Sequence, residues 1–101
     1  MITHVVVFWL DKPYGENREQ LLAAAKQYLG GIPGCENFRA GVAVPSARGV
    51  VDDTFAVGIS MDFADQETAD TYQAHPDHVK FVEEAVKPMV KRFVVYDFGE
   101  A

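Results

Sequence analysis

Residues 3–10 read Thr3-His4-Val5-Val6-Val7-Phe8-Trp9-Leu10. Such a run of β-branched and aromatic side chains predicts a strand. Side chains alternate across a strand, so Val5, Val7 and Trp9 point one way and Val6, Phe8 and Leu10 the other. A strand with one wet face alternates apolar with polar; one that is apolar on both sides is covered on both sides. The stretch from Arg92 to Phe98, RFVVYDF, repeats the pattern, with Phe93 and Val95 against Val94, Tyr96 and Phe98.

Between these two strands the chain punctuates itself. Asp11-Lys12-Pro13-Tyr14-Gly15 is a turn. From about 16 to 29, Leu21, Leu22, Ala25, Tyr28 and Leu29 fall at helical spacing, and Gly30-Gly31 stops that helix. Glu36 to Val44 predicts a strand through Phe38, Ala40, Val42 and Val44, with Gly41 weakening it. After a loop around Pro45 to Gly49, Thr54 to Phe63 alternates cleanly, Phe55, Val57, Ile59, Met61 and Phe63 sharing one face. Asp65 can cap a helix over 65–74; Pro76 suits the first position of a second piece over 76–86, which Lys87-Pro88 ends.

The predicted order is β-α-β-β-α-β, an α+β, ferredoxin-like protomer formed by residues 1–101 as a single domain. Two helices cover only one face of such a sheet, yet both faces are apolar. A second copy packing sheet to sheet supplies the missing cover by symmetry, so a homodimer is expected. Ala56, Gly58 and Ser60 point to close approach or a cavity on one face.

Composition limits the partners. Nine Lys and Arg against fifteen Asp and Glu give a net charge of −6 over 101 residues. That balance repels a phosphate backbone and anionic lipid, so neither nucleic acid nor membrane is expected as a partner. The opening Met1-Ile2-Thr3-His4 has no basic n-region, and the single cysteine, Cys35, has no internal partner, so a reduced, cytoplasmic setting is expected.

One segment concentrates chemistry: Tyr72-Gln73-Ala74-His75-Pro76-Asp77-His78. Histidine takes and returns a proton near neutrality, and a phenol can donate to a developing oxyanion. On a straight helix positions 72 and 78 lie about 600° apart, on different faces. The bend at His75-Pro76 can let them converge. The structural alternative stays open: His75 at a helix start with its ring on a nearby carbonyl, His78 a satisfied half-buried ring, Tyr72 a core residue. His75 and His78 have the i, i+3 spacing of a metal pair, but no third or fourth ligand accompanies them, so no metal is expected. His4 and Asp97 lie on the outer strands of the pattern, which are antiparallel neighbours in a ferredoxin-like sheet. They are expected to meet, either orienting the imidazole or pinning two strand ends.

His4-Val5-Val6-Val7-Phe8, Ile32-Pro33-Gly34, His75-Pro76-x-His78-Val79-x-Phe81 and Val94-Val95-Tyr96-Asp97-Phe98, in this order, resemble the stress-responsive dimeric alpha-beta barrel (Dabb) family over nearly the whole chain. The resemblance implies two ferredoxin-like sheets closing into a dimeric alpha-beta barrel. It also implies a homodimer that binds a small apolar or carbonyl-containing molecule. Similar proteins include a plant polyketide cyclase working without a cofactor through a tyrosine and a histidine that correspond to Tyr72 and His78, with His4 and His75 nearby. An alternative is therefore a cofactor-free cyclase or isomerase, in which His78 abstracts a proton alpha to a carbonyl and Tyr72 stabilises the oxyanion. A third is a cofactor-independent monooxygenase of a related dimeric barrel family. None of the three calls for a cofactor.

Overall fold

The computed structural model describes residues 1–100. Strand β1 (Ile2–Trp9) is followed by α1 (Glu16–Tyr28), β2 (Glu36–Val42) and β3 (Val57–Phe63). Helices α2 (Gln66–Ala74) and α3 (Pro76–Phe81), a wide π-type turn (Val82–Val86), α4 (Lys87–Met89) and β4 (Arg92–Gly99) complete the chain. The sheet order is β2-β3-β1-β4, and every pairing is antiparallel. This is the ferredoxin-like arrangement read from the sequence.

Each element has a local cause. Helix α1 starts at Gly15, whose φ of 95° leaves the helical region, and carries Glu16 and Glu19 in its first turn and Lys26 in its last, matching the helix dipole. Leu21 and Ala25 are its buried residues. Helix α2 is capped by Asp65, whose carboxylate accepts from the Thr68 N–H at 2.8 Å and the Thr68 hydroxyl at 2.7 Å.

Strand β3 begins three residues later than the pattern predicts, at Val57 rather than Thr54. Asp52 Oδ1 accepts from the Thr54 N–H at 2.9 Å and from its hydroxyl at 2.5 Å, and the Trp9 indole N–H donates to the same hydroxyl at 2.8 Å. These bonds hold residue 54 in a local turn. The last helix also runs past the expected stop at Lys87-Pro88, to Met89. Proline lacks an N–H and crowds the carbonyl four residues back, and the widened turn just before it relieves both demands.

The shortest dimension is 18 Å, room for a sheet and one layer of helices. His4, Val6 and Phe8 of β1, with Val57, Ile59, Met61 and Phe63 of β3, are buried beneath the helices. Tyr72, Phe63, Leu21, Leu29, Met61 and Val57 are the largest side chains fully enclosed. By register, Val5 faces Tyr96 and Val7 faces Val94 on the opposite side of the sheet, which no helix covers. Among the described residues no helix is long and apolar enough to cross a membrane.

Candidate functional site

The bend at residue 75 is real and has two causes. His75 takes φ −64° and ψ 139°, extended values that proline imposes on the residue before it. Its ring then caps α3: the Asp77 N–H donates to His75 Nδ1 at 3.0 Å. The structural alternative put this ring on a carbonyl; its partner is an amide N–H, because the start of a helix offers unpaired donors. His75 is thus the residue that turns the chain.

That turn brings together what a straight helix separates. The Tyr72 and His78 rings meet edge to face, with centroids 4.9 Å apart. Phe63 lies 4.9 Å from Tyr72, and His4 lies 6.1 Å from Tyr72 and 5.8 Å from Phe63. Tyr72 is 1% exposed and His4 6%. Three chain segments therefore contribute to one cluster: β1 through His4, β3 through Phe63, and the α2–α3 bend through Tyr72 and His78.

Asp97 completes it from β4. The register places His4 opposite Asp97, and the His4 Nδ1–H donates to Asp97 Oδ1 at 2.5 Å. Nδ1 thus carries the proton that the carboxylate accepts. The carboxylate is more than half exposed while the imidazole is enclosed, so Asp97 fixes the tautomer of a buried ring from the edge of the sheet.

Electrostatically, Tyr72 and His78 are driven apart. Burial pushes the Tyr72 phenol well above its ordinary value, with a smaller contribution from Cys35. Burial pushes His78 below the ordinary imidazole value; His4 adds to the effect, and a hydrogen bond with the Gln73 backbone opposes it. At neutral pH the pair is a protonated phenol beside an uncharged imidazole. No fully enclosed side-chain nitrogen or oxygen among the described residues lacks a partner. The Tyr72 hydroxyl forms no hydrogen bond to another side chain among the described residues, and the residue is enclosed apart from 1% of its surface.

Sequence reasoning missed Phe63 and Cys35 as members of this neighbourhood. Burial also pushes the Cys35 thiol up, and it donates to Met61 Sδ at 3.6 Å. Among the described residues no three His, Cys, Asp or Glu side chains gather as a metal site requires. Three surface depressions lie elsewhere: two flank Arg39 and Ser60 on the uncovered sheet face, and a third lies at Tyr14 and Gly15. Tyr72 and His78 line none of them.

Among solved structures, a Dabb-family protein with a ferredoxin-like fold from Mesorhizobium loti is 32% identical, with a TM-score of 0.79 over 99% of this chain and 96% of that one. A dimeric ferredoxin-like protein of unknown function from Thermobifida fusca is 22% identical, with a TM-score of 0.78 over 98% of this chain and 90% of that one. A hydroxynitrile lyase from Passiflora edulis is 16% identical, with a TM-score of 0.77 over 96% and 90% of the two chains. The last two likenesses establish the fold alone. No curated protein matches the chain significantly. Residues 2–100 match the stress responsive A/B barrel domain, Dabb, and with the fold and the 32% identical relative in agreement, the chain belongs to the Dabb family.

Proposed function

We propose that this Dabb protein is a cytoplasmic homodimer that binds a small apolar or carbonyl-containing molecule beside Tyr72 and His78. The observation that carries the proposal is the 4.9 Å approach of those two rings, six residues apart in sequence. A phenol that stays protonated is a hydrogen-bond donor for a carbonyl oxygen. Phe63 and the His4 ring supply apolar and aromatic surface around it. Titration calorimetry with acetylacetone as the probe tests this: binding to the parent and at least tenfold weaker binding to Tyr72→Phe is the expected result. Equal affinities for the two proteins discard the proposed site.

The dimer rests on the sheet face that no helix covers, which carries Val5, Val7, Trp9, Val94, Tyr96 and Phe98. Tyr96 and Phe98 are about 60% exposed in the protomer. Relatives of this fold from Thermobifida fusca and Bacteroides fragilis are described as dimeric. Sedimentation should give a dimer for the parent and a monomer for Val7→Asp; a monomeric parent rejects this assembly.

A second reading, cofactor-free acid–base chemistry, is favoured by the opposed protonation of the pair. An uncharged His78 can take a proton alpha to a carbonyl, and a protonated Tyr72 can stabilise the enolate oxygen. Exchange of the α-protons of ethyl acetoacetate in deuterated buffer, followed by NMR, distinguishes this reading from simple binding. Exchange no faster than in buffer alone leaves binding as the function.

A further inference from the structure

Residue 75 is the joint between α2 and α3, and three hydrogen bonds meet there. Its N–H donates to the Tyr72 carbonyl at 3.2 Å, closing α2, and its carbonyl accepts from the Val79 N–H at 3.1 Å, opening α3. Pro76 has no N–H to satisfy. The first free amide of α3 is therefore that of Asp77, and the His75 ring takes it through Nδ1 at 3.0 Å. The His78 ring bonds the Gln73 backbone across the same joint. These bonds hold the angle at residue 75, and with it the 4.9 Å approach of Tyr72 and His78.

An imidazole is an uncommon choice for this duty. Serine, threonine, asparagine and aspartate are the usual caps, and none of them loses its acceptor between about pH 5 and 8. An imidazole nitrogen accepts only while it carries no proton. The bond from Asp77 therefore places the proton of the neutral ring on Nε2. A second proton, on Nδ1, sets two N–H groups against each other at a helix start, where the helix dipole also disfavours a cation. A replacement acceptor is at hand, because Asp77 Oδ2 stands 4.0 Å from Nδ1. The His75 side chain is 30% exposed, so solvent protons reach it. Asp77 is the charged partner of this ring among the described residues. Asp77 also faces Tyr28 of α1, which donates to Glu84, and His78 is turned towards Tyr72.

We propose that His75 is a positioning residue that places the Tyr72–His78 site under acid control. With Nδ1 unprotonated, the ring caps α3 and the two site rings stay together. When Nδ1 takes a proton, its N–H turns to the Asp77 carboxylate and the Asp77 amide loses its acceptor. The first turn of α3 then unwinds, and His78 leaves Tyr72. This is regulation of the site proposed above and rests on that reading: the pair is assembled while His75 is neutral and taken apart when it is charged. An asparagine at this joint would hold the same angle at every pH; the histidine makes the angle answer to protons.

The test is NMR of the nitrogen-15-labelled chain, titrated from about pH 8 to 5. Long-range ring spectra report the protonation of His75 Nδ1, the Asp77 amide reports the cap, and the Tyr72–His78 ring NOE reports the site. The Asp77 amide should move upfield with the midpoint of the His75 ring, and the ring NOE should be lost along the same curve. His75→Asn supplies an acceptor that no proton removes, so its ring NOE should survive to the acid end. An Asp77 amide that ignores the His75 titration overturns the proposal, as does an NOE that persists once the ring is charged. So does a His75→Asn chain whose NOE fades at the parent's midpoint, because His78 itself then drives the change. Acetylacetone binding, measured on the same samples, is scored separately. Its absence at every pH rejects the binding site, while loss of the ring NOE on His75 protonation still upholds the joint.

Discussion

The His4 imidazole and the Asp97 carboxylate meet across the β1–β4 pair, Nδ1 to Oδ1 at 2.5 Å, one enclosed and the other at the sheet's edge. Removing the carboxylate leaves a buried N–H without an acceptor. Asp97→Ala should cost about 1–3 kcal/mol of stability, read from urea denaturation. Asp97→Asn, which keeps an acceptor, should cost less. Equal losses in the two variants would show that the acceptor is not what matters.

His78 ties stability to pH. Its pKa is lower in the folded chain than in the unfolded one, so between those two values the unfolded state binds more protons. The His78 contribution is fully present above the ordinary imidazole value and is lost as pH falls through the depressed one. The urea midpoint should drop on acidification from pH 7.5 towards 5, and His78→Asn should flatten that part of the profile. A profile unchanged by the substitution would place the proton uptake elsewhere.

Tyr72 separates packing from chemistry. Tyr72→Ala removes one of the largest enclosed side chains and should cost about 3–5 kcal/mol. Tyr72→Phe removes only a hydroxyl that has no partner in the chain and should cost under about 1 kcal/mol. A large loss in the phenylalanine variant, read from the same denaturation curves, would mean that the hydroxyl is structural.

Gly34 is held at φ +88°, and a Cβ there would stand 2.4 Å from Thr68 Cγ2. Gly34→Ala therefore adds backbone strain to a collision and should cost about 2 kcal/mol or more. Adding Thr68→Ser removes the methyl while keeping a hydroxyl to donate to Asp65. The double variant should recover part of the loss, and the φ penalty should remain. Purely additive effects would show that the collision is absorbed elsewhere.

Much of this was legible in the residues. The doubly apolar runs at 3–10 and 92–98 predict strands, which the β-α-β-β-α-β order makes neighbours, and the alternation over 57–63 predicts the buried face of β3, because period-two patterning reports burial directly. His75-Pro76 announces a break in the helix, and the break is what joins Tyr72 to His78. The rest depended on three-dimensional detail. Phe63 looks like any core residue until the bend lays Tyr72 against it. Pro88 reads as a stop because a wide turn such as Val82–Val86 leaves no mark in local propensity. Thr54 alternates with Phe55 as a strand residue should, but three hydrogen bonds from Asp52 and Trp9 turn it out of the sheet. Gly41 reads as a weak point in a strand, and only the register shows that it lies opposite Gly58.

The β1–β4 pairing has a kinetic consequence. Ile2 lies opposite Gly99, so this ladder joins residues almost a full chain length apart and closes the longest loop in the fold. Contacts at such separation form late and slow the folding of the whole domain. During synthesis Asp97 also leaves the ribosome after every helix and after the other three strands. His4 therefore gains its carboxylate partner only when the last strand pairs with the first.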